Sequence, residues 1–214
     1  MAQLSLILAK QKTIATVPAI TGMTGVNALI QVTSTAHGLE TGDIVQIAGV
    51  ASPAGAANGQ WVITKVDANT FSLNNSLGSG TWGSGGTITH LGWATPATLV
   101  DNTVFASGTP DYTLQARIEE LLTGANVRVV FEDCGASTFI DAQPVAVFQS
   151  TGNIGVAAPG VFAGLAGQND KMFTAKKYDV PDTRMAASGN NLRAKFYVSG
   201  GAGKTAQFSA WLTY

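Results

Sequence analysis

The sequence predicts an all-β protein: a C-terminal β-sandwich, immunoglobulin-like or jelly-roll, with a compact β module inserted ahead of it. Three observations predict this. Short segments alternate apolar and polar residues with the period of two that turns one face of a strand toward a core. Between them fall clusters of Gly, Asn, Asp and Pro, the residues that turns require. The 25 glycines accompany abundant Ala, Thr and Ser, while only 12% of residues are charged, about half the usual globular share. A chain of 214 residues suits one large or two small domains and can bury a sizeable core.

Residues 3–17 read as an extended arm or first strand, with Lys10, Gln11 and Lys12 as its polar middle. The apolar run at 4–9 is too short to span a membrane, and no basic region precedes it as in a secretory signal, so a soluble protein made in the cytoplasm is expected. Pro18 and residues 22–25 mark a boundary. An arm of this kind serves as an edge strand of its own domain or adds a strand to a neighbour. The expected organisation is therefore an N-terminal strand of the sandwich at 1–30, the inserted module at 31–91, and the sandwich proper at 92–214.

Within the module, Gly38 and Gly42 stand where a turn needs positive φ or close backbone approach, and Asp43 is placed to bond local N–H groups. Residues 44–48 have strand character and 61–66 form a second strand. Asp67-Ala68-Asn69 has turn composition, and Phe71 and Leu73 then alternate with Thr70, Ser72 and Asn74 as a half-buried third strand would. A loop at 78–86 leads to a closing strand at 87–91.

The order His37-Gly38-Leu39, Gly42-Asp43, a Val/Ile strand, Asn58-Gly59, and Val66-Asp67-Ala68-Asn69-Thr70-Phe71-Ser72-Leu73 resembles the FCCH domain. That domain is a small β-barrel named from ubiquitin-activating enzymes and recurring in structural proteins of tailed bacteriophages. The resemblance spans residues 32–89, about a quarter of the chain. It implies that the inserted module is a small β-barrel and that the protein is a structural component of a tailed-phage virion. Ubiquitin chemistry is not implied, because the sequence has no adenylation domain and no catalytic-cysteine domain around its single cysteine, Cys134. The first expectation is a non-enzymatic capsid decoration or cement protein, made in the bacterial host cytoplasm and located in the virion. Its partners would be the major capsid protein or other virion subunits, in a homo-oligomer or a symmetric assembly. One alternative is a tail protein of the tube, baseplate or adaptor. Another is a host-surface glycan-binding module using Trp61, Trp82 and Trp93, although those tryptophans are more simply core or loop anchors.

In the C-terminal part, residues 92–97 read as a linker. Residues 112–119 alternate as a strand, although Leu114, Ile118, Leu121 and Leu122 also fit a helical face; the sheet-like neighbours favour the strand. Val127, Val129 and Phe131 define another, ending at the Asp133-Cys134-Gly135 turn. Residues 145–149 are apolar on both faces and are expected in the middle of a sheet. Residues 152–169 form a long loop whose Ile154, Val156, Val161, Phe162 and Leu165 need cover from this domain or another subunit. A strand at 172–178 precedes a turn at 179–184 that Pro181 stiffens. Leu192, Ala194, Phe196 and Val198 then alternate with an outward row of Arg193, Lys195 and Tyr197, and residues 207–214 form the last strand. From Lys176-Lys177-Tyr178-Asp179-Val180-Pro181 through Ser209-Ala210-Trp211-Leu212, the sequence loosely resembles small sandwich domains of phage head and tail proteins.

No catalytic, cofactor-binding or metal site is expected. Gly201-Ala202-Gly203-Lys204-Thr205 is similar to part of a phosphate-binding loop, but Val198 stands where the first glycine is required and a strand is expected to follow. A hairpin turn between the last two strands is the simpler reading. Glu119, Glu120, Glu132, Asp133 and Asp141 form the only acidic cluster and read as solvated carboxylates near strand ends; Asp43 and Asp67 read as turn residues. His37 fits the module's first turn, and His37 and His90 have no metal-ligand spacing. Cys134 reads as a small strand-end residue. A net charge of −1 with 12 scattered Lys and Arg residues argues against nucleic-acid binding. So few charges leave a surface that is either neutral and polar or partly covered by partners.

Overall fold

The computed structural model describes residues 12–51, 54–96, 98–99, 113–121, 126–134, 138–140, 142–151, 161–165, 171–176, 191–200 and 202–213. Among these the protein is all-β, with one short 3-10 turn and no α-helix. The chain divides into a smaller unit, Ile14–Ala94, and a larger one made of Met1–Thr13 and Thr95–Tyr214. Strand β1 (Lys12–Thr13) belongs to the larger unit, where it pairs along the last strand of the chain.

The smaller unit contains β2 (Gly22–Thr24), β3 (Gln31–Thr33), β4 (Asp43–Val50), β5 (Gly59–Lys65), β6 (Thr70–Leu73) and β7 (Gly85–Ala94). They follow the order β7-β4-β5-β6-β3-β2, with every neighbouring pair antiparallel. Strand β5 pairs with β4 through Gly59 to Val62 and with β6 from Ile63 to Lys65, linking the two in one sheet. Val32, Leu39, Val45, Ile47, Ile63, Phe71 and Leu73 are completely buried in one core. Each large side chain hidden in this way contributes roughly 1.5–3 kcal/mol by leaving water.

Two local devices fit the sequence to that core. A bulge between Ile44 and Val45 makes Leu91 the extra residue of β7, beside the point where Val45 of β4 enters the core. Gly38 and Gly42 have φ of 66° and 95°, as their turn requires.

The unit begins earlier than the expected boundary at residue 31. Ile20, Met23 and Ile30 lie in its core, and the supposed boundary at 22–25 contains strand β2. At the other end, residues 92–94 complete β7 with Trp93 and Ala94 buried, whereas a linker was expected. Thr95, also buried, donates its N–H to the Ala194 carbonyl and accepts the Ala194 N–H on its hydroxyl.

The larger unit contributes β8 (Thr98–Leu99), β9 (Thr113–Leu121), β10 (Asn126–Cys134), β11 (Gln143–Thr151), β12 (Val161–Leu165), β13 (Lys171–Lys176), β14 (Asn191–Ser199) and β15 (Thr205–Thr213). One group runs β1-β15-β9-β13; the other runs β12-β11-β10-β14, with β8 on β14. Segment 113–121 is a strand, not a helix, and β11 is central between β10 and β12. Two expectations change. The long loop at 152–169 contains strand β12, which runs parallel to β11 and gives Val161, Phe162 and Leu165 a place in a sheet. Strands β14 and β15 pair into different groups, so the glycine-rich segment joining them is no hairpin turn. The turn at 179–184 lies outside the described residues.

Candidate interaction surfaces

The residues that could suggest chemistry are used locally. His37 is buried; its Nδ1 accepts the Leu39 N–H at 3.0 Å, its Nε2 lies 3.1 Å from the Asp67 carbonyl, and its ring meets Phe71 edge-on. An Nδ1 that accepts a backbone N–H leaves the proton on Nε2, which then donates to Asp67. His37 thus ties two turns together. His90 follows the same rule: Nδ1 accepts the Ala15 N–H at 3.0 Å and Nε2 faces the Gly92 carbonyl at 3.0 Å.

The Asp43 carboxylate lies 3.6 Å from His90 Nε2 and accepts the Glu40 N–H at 2.9 Å. Asp43 does cap its turn, but it is fully buried, which its position in a turn did not foretell. Asp67 is an exposed turn residue whose carboxylate accepts the Asn69 N–H. No group of three or more His, Cys, Asp or Glu capable of holding a metal occurs among the described residues.

Cys134 ends β10, and Thr205 begins a strand where a phosphate-binding loop would begin a helix. Trp93 is buried, while Trp61 and Trp82 are half-buried against the core and donate their indole N–H groups to the Ala57 and Gly85 carbonyls. Trp93 is therefore not available as an exposed sugar platform.

Two surfaces stand out among the described residues. The first is a tip on the smaller unit. Val26, Leu29 and Leu77 are 56%, 49% and 68% exposed, and residues 25–30 and 74–79 contain no charge. The two segments are locked together: Asn27 N–H donates to the Gly78 carbonyl at 2.8 Å, and Gly78 N–H donates to the Ala28 carbonyl at 2.9 Å. A Cβ on Gly78 would fall 1.8 Å from the Gly25 carbonyl oxygen, so only glycine permits the approach. Beneath it, the buried Ser76 hydroxyl accepts the Ile30 N–H and donates to the Leu73 carbonyl, fixing the tip to β6. The apolar side chains are displayed on a stiff backbone.

The second surface is a charged row on the larger unit. Register pairs Arg128 with Tyr197, Val130 with Lys195 and Glu132 with Arg193, all on the face opposite the apolar pairs Val127–Val198, Val129–Phe196 and Phe131–Ala194. Arg193 donates from Nε and Nη2 to one Glu132 oxygen at 3.0 and 2.9 Å, and Lys195 Nζ donates to the other at 2.7 Å. The Arg193 guanidinium also stacks 4.1 Å over the Phe139 ring, and Arg128 lies 5.5 Å from the Tyr197 ring centre.

Burial, outweighing the bond to Glu132, holds the Lys195 ammonium below the usual lysine range; burial likewise raises the Tyr197 hydroxyl. Glu132 is thus a largely buried strand residue bound by two cations, a correction to its reading as a solvated carboxylate. The side chains of Glu119, Glu120 and Asp133 and all of Asp141 lie outside the described residues. Alternation along β14 foretold the outward Arg193, Lys195 and Tyr197, but the long-range pairing with Glu132 had no local signal.

Comparison of the chain with family models, curated proteins and solved structures gives no match.

Proposed function

We propose that this protein is a non-enzymatic structural component of a tailed-phage virion, a decoration or cement protein that holds capsid subunits together by contact alone. In this reading the larger unit is a β-sandwich platform, and the smaller unit is an FCCH-like barrel inserted into it. The observation that carries the contact role is the rigid, uncharged tip of Val26, Leu29 and Leu77. Three large apolar side chains on a pinned loop pair lose little conformational freedom on binding, so apolar burial there is spent less on ordering. Repetition by symmetry would multiply a weak contact into a strong one. The phage assignment rests on the FCCH-like order of residues 32–89.

The test is electron microscopy of purified virions of the phage that encodes the sequence, with a gold-labelled tag inserted after Gly83. A Cβ at that residue meets nothing within 4 Å, so the insertion leaves the tip alone. Label spread over the head as a lattice is expected. Label confined to the tail would replace the cement role with a tube, baseplate or adaptor role. Absence from virions would overturn the proposal.

A further inference from the structure

We propose that Asn58-Gly59 is a self-modification site, at which the Asn58 side chain cyclises onto the Gly59 nitrogen, loses ammonia and, after hydrolysis, becomes a carboxylate that no longer fastens the end of β4. It is the one Asn-Gly pair in the sequence. The inference does not depend on the virion assignment, since it rests on the chemistry of this pair and on what its amide holds.

Asn58 is exposed and lies between the 3-10 turn Ala54–Ala57 and the first residue of β5. Its side-chain amide pairs as a backbone peptide would: Oδ1 accepts the Val50 N–H at 3.0 Å, and Nδ2 donates to the Val50 carbonyl at 3.0 Å. The backbone register of β4 with β5 stops at Ile47 and Gly59, so this exchange carries the link on to the last residue of β4. Val50 is 5% exposed and belongs to the core of the smaller unit. In the folded chain the amide is held by Val50, so cyclisation proceeds from a form in which the end of β4 has let go.

Glycine after asparagine favours the reaction because, without a side chain, its nitrogen can come close to the asparagine Cγ; Gly59 has φ of 142°, a conformation open to glycine. Base takes the Gly59 N–H proton, the nitrogen attacks Cγ of Asn58, and ammonia leaves as the new C–N bond closes a cyclic imide. Water then adds to one of the two imide carbonyls and breaks its C–N bond, giving aspartate or isoaspartate with no change of oxidation state. The aspartate still accepts the Val50 N–H, but its second oxygen meets the Val50 carbonyl, and two acceptors face each other where Nδ2 donated. Isoaspartate routes the backbone through the former side-chain carbon and shifts the start of β5. Either product places a negative charge within residues 44–64, which contain no charged residue.

The test is peptide-mapping mass spectrometry of the full chain incubated in mildly alkaline buffer, which favours loss of the Gly59 amide proton, with and without guanidinium chloride. Conversion of Asn58 to aspartate and isoaspartate is expected, about tenfold slower in the folded protein than in denaturant, as two ordinary hydrogen bonds holding the closed form would cause. Asn58→Asp supplies one product directly, and its Val50 amide should exchange with solvent deuterium about tenfold faster than in the wild type. Gln60→Glu adds the same charge at an exposed neighbour and should exchange as wild type. No conversion of Asn58 in the folded chain, equal rates with and without denaturant, wild-type Val50 exchange in Asn58→Asp, or equal acceleration by Gln60→Glu would each overturn the proposal.

Discussion

The tip of the smaller unit and the charged row of the larger one are both fixed in place, but by opposite means and with opposite chemistry on display. At the tip, backbone groups bond one another across two loops and the buried Ser76 hydroxyl ties them to β6, while the exposed Val26, Leu29 and Leu77 side chains project outward. In the row, the side chains hold one another through Glu132, and the backbone is an ordinary antiparallel ladder. Each surface is vulnerable where its support lies. The tip can lose any exposed side chain and keep its shape, whereas the row cannot lose its carboxylate.

The largest effect should come from Glu132→Ala. It leaves Arg193 and Lys195 without their anion in a largely buried place, and breaking such a pair costs about 3 kcal/mol or more. Urea unfolding would measure this as a lower midpoint. A change below about 1 kcal/mol would mean that water already screens the cluster.

Gly78→Ala comes next. Its Cβ cannot coexist with the Gly25 carbonyl, so the two loops must separate; overpacking of this kind costs on the order of 1–3 kcal/mol. Faster hydrogen exchange of the Asn27 and Gly78 amides would report the opening directly.

Lys195→Met should cost far less than Glu132→Ala, because the lost bond is offset by relief of a desolvated charge. It also separates the alkaline behaviour of the row. Lys195 titrates lower in the folded protein than in the unfolded chain, so the wild type gains stability as pH rises through that lowered value toward 10.5. Tyr197 has the opposite sign: its raised value means that stability falls as pH climbs above 10.0. The Met variant should keep the loss and lack the gain, visible as divergent melting temperatures in alkaline buffer.

Leu77→Asp should have the smallest effect on folding, within about 0.5 kcal/mol, because the side chain is 68% exposed and holds nothing.

These two surfaces also mark how far the sequence was legible. Strands with clean alternation, such as β10 and β14, could be read from their residues because a period of two leaves only one face for Val127, Val129, Phe131, Leu192 and Phe196. Strand β12 was hidden among glycines, and β2 is too short to show a period. Asp43 looked like any turn carboxylate because its burial depends on His90, which lies far along the chain. Glu132 was misread for the same reason: its partners lie about sixty residues away, and pairing register is a tertiary fact. The tip was missed because loop residues 25–29 and 76–78 are unremarkable separately and become a surface only when hydrogen-bonded together.

In the proposed role the tip makes contacts for assembly and is not needed for folding. Its most direct test is incorporation of a Val26→Asp, Leu77→Asp double variant into virions, quantified against wild type after both proteins are matched for melting temperature. A folded variant that is lost from purified particles is expected. A folded variant present at wild-type copy number would contradict it.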